Sequence, residues 1–404
     1  MVDPLNLCFP PLGRDYLPSP PLLMKSFHET QRKLRDEIES PAPQRVFGSG
    51  WASGVLGIGL SLAGLLLVIS MRTPGQLLTA PQITPLQENQ WFKLGVILLL
   101  VAGFAASVVS LALREAKSLG TTGVVLALAA TVIVQSIATA NTAHPLPIFF
   151  GLDWFAINIL FTGLIFIPIE RLCPQKEDQS IFRDEWREDV FYVLVSSLMV
   201  QALAFLPQAP GQLVGGLSPL GAVRVWVGSL PLIIQLPIIM LAADFFQYWA
   251  HRAFHQIPWL WRFHSVHHSA QSMDWMSGAR MHFLEIILMR SITAIPVLAL
   301  GFSPLAVEIY VLVAYVYTTL IHSNIGWRMP YVDHLFVTPQ FHHWHHGSDK
   351  EAIDVNFAIH FPLYDRLFGT YHLPKDQWPS GYGIEGHPVP KGYWAQLIYP
   401  FRRK

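Results

Sequence analysis

The sequence predicts an all-α protein: a polytopic membrane helical bundle of about eight spans with a helical, histidine-rich cap on its cytoplasmic side. Three observations predict it: long apolar runs without charge, Lys and Arg on one side of those runs, and histidines at helical spacing in the second half. Of the 404 residues, 52% are hydrophobic and 13% are charged, and the mean hydropathy is +0.37. Soluble domains do not accumulate such runs, because their surface helices alternate polar and apolar faces.

Composition excludes several classes of protein. Lys+Arg and Asp+Glu are balanced at 27 each, with no basic block, which argues against nucleic-acid binding through displaced counterions. High apolar content with little charge also excludes intrinsic disorder. The two cysteines, Cys8 and Cys173, are too few for a disulfide scaffold, a cysteine-rich zinc site or an iron–sulfur cluster.

The apolar runs have the length of membrane-spanning helices. About 20 apolar residues are needed to cross roughly 30 Å of hydrocarbon. We predict spans at 51–71, 94–113, 121–143, 152–169, 190–206, 226–249, 284–301 and 304–321. The seventh span carries Glu285 and Arg290 near its start.

The distribution of positive charge predicts the orientation of these spans. If residue 1 lies in the cytoplasm, the outer loops contain only Arg72, Lys93 and Arg224. The inner loops then hold the remaining loop cations, as the positive-inside rule expects. Both termini and the histidine-rich region are therefore predicted to be cytoplasmic. The first 45 residues lack a signal-peptide pattern and are predicted to be a solvated arm with one short polar helix.

Histidines are concentrated in one region of the chain. Of the 17 histidines, 14 lie between His251 and His372. Three motifs, HRAFH, HSVHH and HHWHH, space their members at i, i+3 or i, i+4, which places the rings on one side of a helix. Imidazoles placed in this way can converge on a metal ion at about 2.0–2.2 Å.

The predicted topology brings the three motifs to one side of the membrane. The first two follow the sixth span, and the third follows a hairpin of two spans turned at Gly301–Phe302–Ser303–Pro304. A single crossing would instead have separated the motifs by about 30 Å. The topology therefore allows all three to contribute to one centre.

The number of histidines predicts more than one metal ion. One zinc ion takes four ligands, or three plus water, which would leave most of the eight motif imidazoles unused. Two iron ions with open positions for oxygen use about eight to ten nitrogen ligands. His322 and His282 lie on the correct side to complete the set, or could cap a helix or hydrogen-bond a ligand instead. His343 points about 100° away from His342, and we expect it to support a ligand.

Other polar residues have weaker expectations. Asp244, Gln247 and Asp333 could hold ligand histidines by hydrogen bonds, with a structural role an equal alternative. We expect Asn356 and Asp365 to order the fold beneath the centre. Single histidines with an expected structural role are His334, His360 and His372. Aromatic residues expected in an interfacial belt are Trp259, Trp261, Trp275 and Tyr371.

The segment from about Asp244 to His372 contains DFFQYWAHRAFH, LWRFHSVHHS, IHSNIG, TPQFHHWHH and NFAIHFPLYDRLFGTYHLP. With its three histidine motifs in this order around a membrane hairpin, it resembles the fatty acid hydroxylase/sterol desaturase superfamily of membrane non-haem di-iron enzymes. The resemblance implies metal ligands at His251, His255, His264, His267, His268, His322, His342, His345 and His346.

The resemblance also implies a function. It implies an integral-membrane oxidoreductase that hydroxylates or desaturates a sterol or fatty-acyl lipid with O2, two iron ions and external electrons. Because no HPGG haem-binding stretch occurs, we expect a separate electron-transfer protein of the small cytochrome or ferredoxin type. The expected organisation is an arm at 1–45, an amino-terminal membrane region at 46–170, a catalytic domain at 171–375 and a tail at 376–404.

Two alternatives stay open beside this interpretation. A pterin-dependent ether-lipid monooxygenase of the alkylglycerol type would share the three motifs. A membrane metal transporter or a bis-histidine cytochrome is the non-enzyme alternative, but the predicted spans are nearly free of histidine, whereas transporters place ionisable groups near the midplane. A zinc hydrolase is disfavoured because no glutamate stands between ligands as in HExxH.

Overall fold

The computed structural model describes residues 22–46, 48–72, 83–135, 152–198 and 221–402. Throughout this part of the chain the regular structure is helical, with only two isolated β-bridges, Pro174 to Ile325 and Gly347 to Tyr382. The predicted all-α class is confirmed.

Five helices in the described ranges are long and apolar enough to cross a membrane. They are α2 (Trp51–Met71), α4 (Gln90–Leu113), α9 (Leu232–Gln256), α11 (Phe283–Leu300) and α12 (Pro304–His322). These five overlap five of the eight predicted spans, although the sixth, predicted at 226–249, begins within the preceding short helix and ends seven residues before α9 does. The other three predicted spans overlap α5 (Ser118–Gln135), α6 (Leu152–Leu172) and α7 (Trp186–Leu198), and parts of two of them lie outside the described residues. A total of eight spans stays a prediction.

The amino-terminal half is a bundle of α2, α4, α5 and α6, with the short α3 (Thr84–Glu88) before α4. Small residues let these helices approach closely. A Cβ added at Gly57 in α2 would lie 2.8 Å from the backbone nitrogen of Ser107 in α4. Such close backbone approach is a common way for helices to associate in lipid, where burial of apolar surface gives no driving force.

The amino-terminal arm is docked at its end, which corrects the expectation of a solvated segment. It forms α1 (Leu22–Ile38), after which Glu39 accepts hydrogen bonds from Ser180 Oγ and Phe182 N, both at 2.6 Å. Glu37 Oε1 accepts from the backbone nitrogen of Ser118 at 2.7 Å and so caps α5. These carboxylates explain why a charged arm can fold onto the bundle.

The second half is built on α9 and a helical hairpin. The short α8 (Gly221–Ser229) precedes α9, and α11 runs back beside α9. Gly301 ends α11 with φ of 73°, a left-handed conformation that glycine adopts without strain. Ser303 then caps α12 by accepting a hydrogen bond from Ala306 N. The hairpin returns the chain to the end of α9 that carries His251 and His255.

Short helices cover that end of α9 and α12. Residues 257–282 and 323–402, which we call the cap, contain α10 (Pro258–His267), α13 (Pro339–His345), α14 (Leu363–Phe368) and α15 (Tyr393–Ile398). Both α10 and α13 begin with proline, which favours the first helical turn, and Thr338 caps α13. Trp275 is buried against Phe166 and Ile325, so its predicted place in an interfacial belt is wrong.

Candidate metal centre

Nine histidines meet where α9 and α12 enter the cap. They form two adjacent groups, and within each group one side-chain nitrogen per residue lies within 4.8 Å of all the others. The first group is His251, His255, His264, His268 and His345. The second group is His267, His322, His342 and His346. All nine positions implied by the resemblance are thus brought together.

The second and third motifs, on α10 and α13, each contribute histidines to both groups. His264 and His268 are one turn apart and join the first group, whereas His267, on the neighbouring flank of α10, joins the second. In α13 the assignment is reversed: His345 joins the first group, and His342 joins the second. The i, i+3, i+4 spacing therefore divides the second and third motifs between the two groups, whereas both histidines of HRAFH join the first group.

The ring nitrogens face one another at short distances. In the first group, His264 Nε2 lies 3.0 Å from His251 Nε2 and 3.1 Å from His268 Nε2. In the second group, His322 Nε2 lies 3.2 Å from His267 Nε2 and 3.0 Å from His342 Nε2.

Most of the opposite ring nitrogens are occupied by outward hydrogen bonds. Nδ1 of His251 donates to the carbonyl oxygen of Phe357 at 2.8 Å, and Nδ1 of His267 donates to that of Arg280 at 3.0 Å. Similar bonds join His322 to Thr318 and His345 to Val355. A neutral imidazole carries one proton, so a proton on Nδ1 leaves a lone pair on Nε2.

The converging atoms therefore fit a cation. Lone pairs that face one another at about 3 Å cannot hydrogen-bond, and a positive ion between them removes the repulsion. His255 Nε2 is buried and, among the described residues, has no hydrogen-bond partner. Imidazole nitrogen is a donor that suits iron. Each group therefore has a donor set that fits a metal ion such as iron.

Burial keeps six of the grouped histidines, all of them in the cap, in the neutral form. Desolvation lowers the pKa of His264, His267, His268, His342, His345 and His346 well below the ordinary value, and neighbouring imidazoles lower it further. Metal ligation needs the neutral form of the ring. These six side chains are therefore in the ligating form at pH 7.

The two groups differ in their surroundings. His264 Nδ1 donates to the buried Glu285 Oε1 at 2.5 Å, and His255 Nδ1 donates to Asp354 Oδ1 at 3.2 Å. Both carboxylates support the five-histidine group. In the four-histidine group, His267 and His322 donate to backbone carbonyls. A carboxylate makes an imidazole more basic than a carbonyl does, so the two sites are chemically unequal.

A buried ion network supports the loop between the second motif and α11. Arg280 Nε donates to Asp189 Oδ1 at 2.6 Å, and Arg183 Nε donates to Asp274 Oδ2 at 2.6 Å. Arg183 also bonds Asp189, and all four side chains are buried. Because the carbonyl oxygen of Arg280 accepts from His267, the network positions one histidine of the centre.

Glu170 at the end of α6 connects the amino-terminal half to the centre. Its Oε1 accepts from Trp275 N at 2.7 Å and from Asn324 N at 2.9 Å. Asn324 lies two residues after His322, and Trp275 lies in the loop after the second motif. One carboxylate therefore holds two segments that carry histidines of the centre.

Three further residues considered as ligands lie outside the two groups. His282 Nδ1 accepts from Leu284 N and caps α11, while its Nε2 donates to the carbonyl oxygen of Leu397 at 3.1 Å. His343 binds the Tyr382 hydroxyl and the carbonyl oxygen of Ser323. Asp244 accepts from the backbone nitrogens of residues 359–361.

The remaining polar residues organise the cap. Asp365 accepts from Phe357 N at 2.7 Å, and Asn356 Nδ2 donates to the carbonyl oxygen of Phe341 at 2.9 Å. Phe357 is also the residue whose carbonyl oxygen holds His251. Asp333 bonds Thr338, the cap of α13. These contacts place the histidine-bearing segments relative to one another.

Sequence reasoning missed the supporting carboxylates. In the sequence, Glu285 is distinguished only as a charge near the start of an apolar span. An ionisable residue in such a segment usually has a functional partner, and this pattern could have identified it. The sequence has no comparable pattern for Glu170, Asp189 or Asp274, because each has a hydrogen-bond partner about 90 to 150 residues away along the chain.

Two groups of buried imidazoles in a helical membrane protein are typical of the histidine-rich membrane oxygenases. Comparison with known proteins identifies the family. The model of the fatty acid hydroxylase family matches residues 236–370. The ornithine lipid hydroxylase OlsE of Rhizobium tropici is 30% identical over 263 residues, 62% of this chain and 76% of that protein. The chain therefore belongs to the fatty acid hydroxylase/sterol desaturase superfamily.

Other similar proteins are named as monooxygenases, which is consistent with membership of this family. The human alkylglycerol monooxygenase is 28% identical over 149 residues, 37% of this chain and 32% of that protein. A Dictyostelium discoideum protein described as a methylsterol monooxygenase is 27% identical over 224 residues, 54% of this chain and 79% of that protein. No solved structure matches the chain. The protein is an integral-membrane, oxygen-dependent oxidoreductase that acts on lipids.

Proposed function

We propose that the nine histidines bind two iron ions and that the enzyme hydroxylates a membrane lipid. The observation that carries the proposal is the arrangement of the rings: within each group the ring nitrogens converge, and six of the nine rings form outward hydrogen bonds through Nδ1. Two iron ions held by nitrogen would supply the activation of O2. The chain's own residues hold the rings, fix their tautomers through Glu285 and backbone carbonyls, and exclude water by burial.

Hydroxylation is preferred to desaturation because the relatives are named as hydroxylases and monooxygenases. An ornithine lipid is the first substrate to test, since the ornithine lipid hydroxylase matches 62% of this chain, including residues outside the family domain. We propose residues 171–375 as the catalytic domain and residues 46–170 as a separate membrane region. The cap would face the cytoplasm, where a small cytochrome or ferredoxin could deliver electrons.

A pterin-dependent ether-lipid monooxygenase is the second candidate. The supporting observation is the similarity to alkylglycerol monooxygenases, which covers about a third of the length of the human protein. The two candidates differ in the lipid that is consumed and in the reductant that is required. Ether-lipid cleavage that depends on added reduced pterin would favour the second candidate.

The substrate is tested by comparing lipids from cells with and without the gene by mass spectrometry. We expect one lipid class to gain one oxygen atom when the gene is present. A loss of two hydrogen atoms would instead indicate desaturation. Unchanged lipids from cells that contain iron-loaded protein would contradict the proposed reaction.

The metal centre is tested by removing one histidine from each group. We expect His268→Ala and His342→Ala each to lose about one of two iron ions and nearly all activity, because each group holds its own ion. His387→Ala, an exposed histidine outside both groups, is the control and should retain both ions. Full iron content in both group variants would contradict the assignment.

A further inference from the structure

Two short cap elements expose apolar side chains and bury their acidic ones. In α14, Leu367 is 64% exposed while Asp365 is fully buried. In the 3-10 turn Val332–His334, Asp333 is buried, and the flanking Tyr331 and Leu335 are 88% and 66% exposed. The same elements also expose Arg366 and His334, so the surface combines apolar and basic side chains, a pattern typical of a membrane interface rather than of a water-facing helix.

The exposed side chains form one surface. We call it the collar, and it consists of Tyr331, Val332, Leu335, Phe336, Leu363 and Leu367. Arg366 joins its two parts, because Nη1 donates to the carbonyl oxygen of His334 and Nη2 donates to the ring nitrogen of the same residue, both at 3.0 Å. Phe336 and Phe361 also contact one another, with ring centroids 5.6 Å apart.

The collar is continuous with the exposed face of a membrane-spanning helix. Phe245 and Trp249 are exposed on α9, and they contact Tyr364 and Phe368 of α14 with ring centroids 5.6 Å and 4.8 Å apart. The Tyr364 hydroxyl also donates to the carbonyl oxygen of Leu241 at 2.8 Å. The short helix α14 therefore lies alongside the middle and carboxyl-terminal part of α9.

The contacts with α14 fall within the length of α9 that can cross a bilayer. Leu241 and Trp249 lie about 14 Å and 26 Å along α9 from its first residue, Leu232, at 1.5 Å per residue. Both distances are within the roughly 30 Å of a hydrocarbon core.

We propose that the collar is a lipid-binding surface that inserts into the headgroup and upper acyl region of the leaflet on the cap side. The buried Asp365 and Asp333 attach it to the protein, and its leucine and aromatic side chains contact lipid. The next residue after the collar, Val337, bonds His360 through its backbone nitrogen. The collar thereby fixes the position of α13 along the membrane normal. It also holds the third histidine motif above the hydrocarbon from which a lipid would enter.

The test uses single spin labels in an otherwise cysteine-free protein, with Cys8 and Cys173 replaced by alanine. Nitroxides are placed by Leu335→Cys and Leu367→Cys in the collar, by Leu241→Cys on the exposed face of α9, and by Lys350→Cys on the exposed part of the cap. The protein is reconstituted in vesicles of phosphatidylcholine and phosphatidylglycerol. Accessibility to molecular oxygen and to a water-soluble nickel complex is then measured by power saturation.

We expect the oxygen-to-nickel accessibility ratio at both collar positions to exceed the ratio at Lys350→Cys by at least threefold and to approach that at Leu241→Cys. A ratio equal to that at Lys350→Cys would overturn the proposal. Spin–spin broadening that disappears on dilution with unlabelled protein would also overturn it, since a second copy would then cover the collar. Unchanged elution of each variant as a single species shows that the label has not unfolded the protein.

Discussion

Within each half of this protein, a different kind of contact holds the helices and loops together. In the amino-terminal bundle, glycine and serine allow helix backbones to touch, as at Gly57 and Ser107. In the histidine-rich half, buried charges and imidazoles are held by specific hydrogen bonds, as at Asp189 and Arg280. The first kind of contact depends on the volume of side chains, whereas the second depends on charge and direction. The two halves should therefore fail under different substitutions.

The largest effect is expected from Asp189→Ala. Removing this carboxylate leaves Arg183 and Arg280 buried with less compensation, and breaking a buried ion pair costs about 3–5 kcal/mol. Because Arg280 also holds His267, we expect a lower midpoint of thermal unfolding together with partial loss of iron. Differential scanning fluorimetry in detergent and iron analysis measure both.

A matched control is Asp376→Asn, which removes an exposed charge paired with Arg328 and keeps a residue type that tolerates the positive φ of 57° at this position. Exposed pairs contribute about 0–1 kcal/mol, so this variant should resemble the parent protein in both measurements. Equal behaviour of the two variants would mean that the buried network does not support the centre.

An intermediate effect is expected in the other half from Gly57→Ala. The added Cβ would lie 2.8 Å from Ser107 N, and overpacking of this kind typically costs about 1–3 kcal/mol. We expect weaker resistance of the bundle to proteolysis or detergent, with the iron content unchanged. Loss of iron in this variant would contradict the expectation that packing within the bundle does not affect the histidine groups.

Gly95→Ala provides the control for this substitution. Gly95 lies within α4, and an added Cβ there would meet no atom within 4 Å. The same chemical change should therefore be neutral or slightly stabilising, since alanine favours a helix more than glycine does.

The smallest effect is a pH dependence from Asp365. Burial raises its pKa to about 6, so between pH 4 and 6 the folded state holds a proton that the unfolded state has released. The free energy of unfolding should then fall by about 1 kcal/mol as the pH rises from 5 to 7. Asp365→Asn should lack this component, whereas the exposed Asp376→Asn should retain it. Thermal unfolding at the two pH values tests the difference.

The sequence by itself determined the helical membrane class and the grouping of histidines, because apolar runs and i, i+4 spacing are local patterns. It also determined, through the resemblance of its motifs, all nine histidines that meet. His282 shows the limit of local patterns: it stands beside an apolar span like His322, yet its ring caps α11 and points to α15.

Only the tertiary structure decided which rings share a group and what supports them. His267 and His268 are neighbours in the sequence and belong to different groups, because α10 presents two flanks to two sets of partners. Glu285 and Glu170 reach the centre from other helices, across 21 and 154 residues of chain. Local spacing fixes the direction of a side chain relative to its own helix, and only packing between helices fixes what that side chain meets.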